Sequence, residues 1–129
     1  YGEIQGIRKF LPNMTVVQSE RSQLRKIGDF DQEDLADAAN IFAQWREALL
    51  AGEYDLVIFD EINFALYCQL LQVEDVLAML RERPAHVNVV LTGRYAHDAI
   101  IDAADLVSEI KEIKHHYAAG IKAQPGVEY

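Results

Sequence analysis

The sequence has 129 residues, half of them apolar, and a formal net charge of −9 at pH 7. This composition is that of one globular domain with a real core, and it excludes a disordered chain. The acidic balance argues against a nucleic-acid or membrane-surface partner, because such proteins usually present a basic face.

The N-terminal third predicts a helix, a strand and a polar loop. The spacing of Ile4, Ile7 and Leu11 predicts a short helix over residues 3–10, which Pro12 ends. Residues 14–18 predict a strand. The polar stretch that follows has no clear period, so we expect a loop.

A longer helix is predicted over about residues 32–51. Asp31 has the character of an N-cap, with further acids in the first turn. An apolar stripe at steps of three and four includes Trp45 and places it in the core. Gly52 is the predicted C-terminal cap.

Strands and helices alternate in the rest of the chain. Continuous apolar runs predict buried strands in "DLVIFD" and "VNVVLTG", and residues 105–114 predict a further strand. Helices are predicted over residues 73–83, with Val73, Val76, Leu77 and Leu80 inward, and over residues 96–104. We therefore predict an α/β fold, a single domain over residues 1–129 whose mostly parallel sheet has helices on both faces.

Polar residues follow two of these strands at their carboxyl ends. Asp60 and Glu61 come after the first, and Thr92, Gly93 and Arg94 come after the second. Ligands of open α/β sheets bind beyond these ends. An acid there is typical of a Walker-B element that holds Mg²⁺, and an arginine can bind a phosphate. Acids also follow strands simply as helix N-caps, and Arg94 alone would more often be a surface arginine, so both readings stay open.

A phosphate cradle is missing from the sequence. There is no G-x-x-x-x-G-K-[ST] element, and the 7 glycines are scattered. The residues alone therefore indicate half of an ATP site.

Three segments together resemble one enzyme family. They are "GEYDLVIFDEINFAL", "LLQVEDVLAMLRERPAHVNVVLTGR" and "ADLVSEIKEIKHHYAAGIKAQPGVEY". Their order and spacing resemble the P-loop-type corrinoid (cobalamin) adenosyltransferases, the cob(I)yrinic acid a,c-diamide adenosyltransferases. The likeness is strong over residues 47–129 and weak before them. It is much more specific than a Walker-B fragment.

The resemblance implies a P-loop NTPase-like (RecA-like) fold and a transferase reaction. ATP would give its 5′-deoxyadenosyl group to the Co(I) of a reduced corrinoid, and tripolyphosphate would leave. The corrinoid carries the difficult chemistry, so the protein would act by positioning and charge stabilisation. Implied partners are ATP, the corrinoid, Mg²⁺ and a flavoprotein reductase, and the implied assembly is a homodimer.

The resemblance also assigns site residues. Asp60 and Glu61 belong to the Mg²⁺ side, and Glu61 and Arg94 are the catalytic candidates. The nucleotide or corrinoid candidates are Asn63, Thr92, Gly93, Arg94, Tyr117, Gly120, Lys122 and Gln124. The last four lie in a basic tail that we expect to fold over the site. The alternative reading is a solvated edge strand and a mobile tail.

The sequence departs from the family in two places. The family's P-loop unit, a strand-helix-strand segment, would precede Tyr1, so we expect a leading segment to be missing and the chain as written to be inactive. The family's Phe-x-Trp pair, which presses on the corrin, would fall near Leu24 and Lys26. Neither is aromatic, and Phe30 is the nearest ring.

Two other functions stay open. One is a P-loop ATPase of another kind, which uses water in place of Co(I). The other is a module that binds a nucleotide or corrinoid without catalysis. The lone cysteine, Cys68, excludes an intrachain disulfide and predicts a buried filler in a reducing compartment. With no signal-like or membrane-spanning run in the sequence, we predict a cytoplasmic protein.

Overall fold

The computed structural model describes residues 2–18 and 28–127. Within them the chain forms two compact units, one within residues 28–107 and one made of residues 2–18 and 108–127. The predicted strand-helix alternation holds in the first unit. In chain order the elements are α1 (Gly2–Phe10), α2 (Gln32–Leu50), β1 (Leu56–Phe59), α3 (Ile62–Tyr67), α4 (Val73–Glu82), β2 (Asn88–Leu91), α5 (Asp98–Ala103) and a 3-10 helix (His116–Ala119).

Helix α2 begins at a reciprocal capping box, as its sequence predicted. Asp31 Oδ1 accepts hydrogen bonds of 3.0 Å from the backbone N–H groups of Glu33 and Asp34. Asp34 Oδ2 accepts one of 2.9 Å from the N–H of Asp31. These contacts pair donors that the first helical turn leaves free. Gly52 lies one residue past the C-cap, Ala51, at φ 69°, a conformation that glycine adopts at little cost.

The two strands of the described sheet are parallel and in direct register. Leu56 lies opposite Asn88, and Phe59 lies opposite Leu91. Parallel strands need a crossover connection, and here α3 and α4 supply it.

One face of this sheet is covered, and the other is largely open. Val57, Phe59, Val89 and Leu91 belong to the core or pack against it. Leu56 and Ile58, which point the opposite way along β1, stay 51% and 48% exposed. The prediction of helices on both faces thus holds for one face of these strands.

The core of the larger unit lies between this covered face and the helices. Its most completely buried side chains are Leu49, Val76, Met79 and Val87. Trp45 packs against this core, with its ring 6.0 Å from that of Phe59, which confirms the prediction for Trp45. The predicted inward face of α4 did not include Met79. A face centred on Leu77 and Leu80 is rotated about the helix axis from the face that is buried, which carries Met79.

Two predicted strands are wrong. Residues 14–18 and 105–114 form no strand in the structure. An apolar alternation becomes a strand only where another backbone pairs with it, and β1 and β2 pair only with each other within the described residues. Ile110 and Ile113 are 97% and 88% exposed, so these apolar side chains find no cover here.

Candidate functional site

The polar turns after β1 and β2 lie side by side. Asp60 and Glu61 directly follow β1, and the turn of Thr92, Gly93 and Arg94 directly follows β2. Because the strands are parallel and in register, their carboxyl ends share one edge of the sheet. The structure therefore brings together five of the predicted site residues from two segments of the sequence.

Thr92 makes four hydrogen bonds to the end of β1, the turn after it and the start of α3. Its Oγ1 donates to Asp60 Oδ1 at 2.7 Å and accepts from the Glu61 N–H at 2.9 Å. Its carbonyl accepts from the Asn63 N–H at 3.1 Å, and its own N–H donates to the Phe59 carbonyl at 3.1 Å. One side chain and its backbone thus set the orientation of the Asp60 carboxylate and the start of α3.

Gly93 allows the second turn to approach α3 closely. Its φ is 118°, a value that side-chain-bearing residues rarely adopt. A Cβ placed there would lie 3.2 Å from Glu61 Cα, 3.2 Å from the Phe64 nitrogen and 3.3 Å from Asn63 Cβ. Glycine is therefore required both by the backbone angle and by the space.

Glu61 holds an unusual backbone conformation. It occupies the N-cap position of α3 with φ 58° and ψ 20°, in the left-handed region, and its side chain makes no capping hydrogen bond. A residue other than glycine pays on the order of 1 kcal/mol or more for this conformation. The capping alternative for Glu61 therefore lacks the contact that would define it, and the carboxylate is exposed beside Asp60.

Asn63 carries a buried acceptor that no group in the described residues pairs with. The residue is 6% exposed, and its Oδ1 accepts no hydrogen bond within the described part of the chain. An unpaired buried amide oxygen costs roughly 1–3 kcal/mol. Such a group is a reason to look for a donor that arrives with a ligand.

Arg94 is exposed, and within residues 2–18 and 28–127 no hydrogen bond or ion pair holds its guanidinium. Its planar, permanently charged fork suits a phosphate group. The position beside Thr92 places this cation at the same edge as the two acids.

The two acids suit a magnesium ion by donor type. Mg²⁺ prefers hard oxygen ligands and usually takes one or two carboxylates together with water and phosphate oxygens. Asp60 and Glu61 offer such oxygens, and Asn63 adds an unpaired amide oxygen nearby in sequence. A cluster of three or more His, Cys, Asp or Glu side chains that could hold a metal is absent from the described residues.

Sequence reasoning missed an aromatic cluster beside these turns. The rings of Tyr67 and Tyr95 lie 4.4 Å apart, and Phe64 lies 6.5 Å from each of them. The available signal was the spacing of Phe64 and Tyr67 along one face of a helix, together with a tyrosine directly after Arg94.

The predicted tail residues belong to the other compact unit. Tyr117 lies in the 3-10 helix, Gly120 ends it at φ 81°, and Lys122 and Gln124 follow. Their role at the site stays a prediction. Leu24 and Lys26, the positions of the expected aromatic pair, lie outside the described residues.

The whole chain, residues 1–129, matches the family described as ATP:corrinoid adenosyltransferase BtuR/CobO/CobP. The chain belongs to this family of corrinoid adenosyltransferases. The resemblance stated from the sequence is confirmed.

Individual family members show the same relationship. The chain is 46% identical over 101 residues to a corrinoid adenosyltransferase of Pseudomonas aeruginosa, covering 76% of this chain and 50% of that protein. It is 40% identical over 97 residues to the corrinoid adenosyltransferase CobA of Salmonella typhimurium, covering 73% and 50%. An uncharacterized Nostoc protein is 30% identical over 128 residues, 98% of this chain and 34% of that protein. The chain spans about half the length of the named adenosyltransferases.

This adenosyltransferase-family chain has no bilayer-spanning helix in its described residues, since none there combines the necessary length and apolar character.

Proposed function

We propose that the full-length protein transfers the 5′-deoxyadenosyl group of ATP to the cobalt of a reduced corrinoid. The Co(I) electron pair forms the new bond to C5′ of the ribose. The bond between C5′ and its oxygen breaks, and the electrons of that bond leave with tripolyphosphate. No further oxidant or reductant enters this step once the corrinoid is in the Co(I) state.

The observation that carries the proposal is the Thr92 bridge in a chain of this family. These hydrogen bonds hold Asp60, Glu61 and the turn that carries Arg94 together at one edge of the sheet. A leaving triphosphate carries several negative charges, and a cationic side chain at the same sheet edge can stabilise them. Membership of the family supports the identity of the two substrates.

The chain's own residues divide the work. Arg94 binds phosphate oxygens and stabilises the charge of the leaving group. Asp60, oriented by Thr92, and Glu61 would hold Mg²⁺. When bound, Mg²⁺ neutralises part of the phosphate charge. Asn63 Oδ1 accepts a hydrogen bond from an amine or hydroxyl of a bound substrate, which removes its unpaired state.

The remaining elements of the proposal concern the full-length protein. We propose a P-loop NTPase-like fold in which the tail residues Tyr117, Gly120, Lys122 and Gln124 contribute to the substrate site. The positive charge of Lys122 supports a contact with polyphosphate. A cytoplasmic homodimer whose corrinoid is reduced by a flavoprotein reductase is the corresponding cellular setting.

The test is an anaerobic assay of the full-length protein with Mg-ATP and a chemically reduced corrinoid. We expect loss of the Co(I) spectrum with one tripolyphosphate formed for each adenosylated corrinoid. ADP and phosphate formed without a cobalt–carbon bond would instead identify an ATPase of another kind. Binding of ATP or corrinoid with no product would identify a non-catalytic module.

A further inference from the structure

The aromatic cluster of Phe64, Tyr67 and Tyr95 is unusually open for three packed rings. Tyr67 is 51% exposed and Tyr95 is 58% exposed, while Phe64 is half-buried behind them. Single exposed aromatic residues are common on protein surfaces, but contiguous apolar patches often mark binding sites. These three rings form such a patch from two separate segments of the chain.

The backbone is strained at Tyr95, which carries one of these rings. Tyr95 has φ 60°, in the left-handed region that bulky residues avoid. Its ring packs against that of Tyr67 in a tilted arrangement, at a centroid distance of 4.4 Å and an interplanar angle of 34°. An aromatic pair of this kind contributes about 0.5–1.5 kcal/mol beyond its buried area, which offsets part of the strain. The pair therefore holds its orientation without burying either ring.

The patch is continuous with the candidate site. Tyr95 directly follows Arg94, and Phe64 directly follows Asn63 with its unpaired buried oxygen. Gly93 approaches both Asn63 and the Phe64 nitrogen, so the two segments are held together at this point. A ligand on the rings would thus lie next to the polar groups proposed for the triphosphate.

We propose that the aromatic cluster of Phe64, Tyr67 and Tyr95 binds the corrin macrocycle of the second substrate, an inference that rests on the proposed function. The three rings extend over more area than one purine, with centroids 4.4–6.5 Å apart. A corrin offers a broad uncharged face for such rings and amide arms for the tyrosine hydroxyls. Group transfer requires the two substrates to lie next to each other, and the aromatic cluster lies next to the polar turns proposed for the triphosphate.

Binding measurements on the full-length protein test the inference. Tyr67→Ala and Tyr95→Gly remove the rings, and glycine also suits the backbone angle at position 95. We expect each variant to raise the Kd for hydroxocobalamin, measured by equilibrium dialysis, roughly 5- to 100-fold, the range for loss of a stacking contact. The Kd for ATP should change by less than about twofold in the same variants, because ATP keeps its contacts when these rings are removed. Tyr95→Phe, which keeps the ring, and Tyr54→Ala, a tyrosine before β1, are the matched controls.

Three results would overturn the inference. Unchanged hydroxocobalamin affinity in both variants would show that the rings do not touch the corrin. A selective loss of ATP affinity would assign them to adenine instead. An equal loss in Tyr54→Ala would mark a general effect of removing a tyrosine.

Nitration of the unmodified protein gives an answer that does not depend on a variant's folding. Hydroxocobalamin should protect Tyr67 and Tyr95 from tetranitromethane, whereas ATP should not, with Tyr54 as the internal reference. Equal nitration with and without hydroxocobalamin would contradict the inference. If the unmodified protein forms adenosylcorrinoid yet shows no such protection, only this inference fails; if it forms no adenosylcorrinoid, the proposed function fails.

Discussion

Thr92 Oγ1 and Asp60 Oδ1 are joined by a 2.7 Å hydrogen bond across 32 positions of the sequence. The same hydroxyl accepts from the Glu61 N–H, so it acts as donor and acceptor at once. This contact connects the turn after one strand to the turn after its neighbour.

Replacing Thr92 by valine should separate the effect of its side-chain shape from the effect of its hydrogen bonds. Thr92→Val keeps the size but loses both Oγ1 hydrogen bonds, and we expect a loss of about 1–3 kcal/mol in the free energy of unfolding. We also expect weaker Mg-ATP binding, because Asp60 loses its orienting donor. Urea denaturation and ATP titration measure the two effects. Thr92→Ser keeps the hydroxyl and should stay near the original protein; equal losses in both variants would refute the hydrogen-bond explanation.

Gly93→Ala should damage the site by a steric route. The new methyl group would enter space 3.2 Å from Glu61 Cα at a φ of 118°, so we expect destabilisation of more than about 1 kcal/mol. Thermal unfolding measures this change. Gly6→Ala, in α1 with nothing within 4 Å of the added methyl, should leave the protein as stable or slightly more stable. A stable Gly93→Ala protein would mean that the two turns can separate without cost.

Asn63→Leu should improve stability while reducing function. The substitution removes the unpaired Oδ1 and keeps the branching at Cγ, and we expect the ligand-free protein to gain about 1 kcal/mol. Adenosyl transfer should fall, because the substrate donor would then have no acceptor. Chemical denaturation and the anaerobic transfer assay give the two values. Full activity in this variant would remove Asn63 from the substrate site.

Arg94→Gln should reduce kcat/KM for ATP by about tenfold or more, because the neutral amide cannot replace a forked, charged donor pair. Arg94→Lys should recover only part of the loss, since an ammonium lacks the planar fork. Arg81→Gln, in the exposed last turn of α4, serves as the control for loss of one positive charge. Steady-state kinetics at constant ionic strength would contradict the assignment if Arg94→Gln and Arg81→Gln behaved alike.

The Cys68 thiol should react slowly at neutral pH. Burial raises its pKa above the ordinary value of a free cysteine, because the charged thiolate is disfavoured away from water. Iodoacetamide reacts with the thiolate, so the alkylation rate should rise at higher pH than for a free cysteine. In the unfolded protein the thiol loses its proton at a lower pH than in the folded protein. The contribution of Cys68 to the free energy of unfolding should therefore decrease as the pH rises from the unfolded-state pKa through the folded-state pKa. Matching rate profiles for folded and urea-unfolded protein would show that burial has no such effect.

Features that depend only on residues close together in the sequence were predicted well. The cap at Asp31 and the helix that follows depend on neighbours within a few residues, and both were confirmed. The sheet-edge position of Asp60 and Thr92 also followed from pattern, because a strand's end can be read from its apolar run.

Features that depend on distant neighbours could not be read in the same way. Glu61 and Tyr95 have a left-handed backbone where each contacts another segment of the chain, and neither residue type signals this conformation. The unpaired state of Asn63 Oδ1 is likewise a property of its surroundings. The prediction for residues 105–114 was wrong for the opposite reason: their alternation suits a strand, but no segment among the described residues pairs with them.

The bonds around Thr92 also define a unit of hydrogen exchange. The amide protons of Glu61, Asn63 and Thr92 are each donated between Thr92 and the segment from Phe59 to Asn63. None can be released without separating the turns, so their protection should be lost in one opening event. Ligand binding at this edge would then slow all three amides by the same factor, which makes their exchange a direct reporter of occupancy.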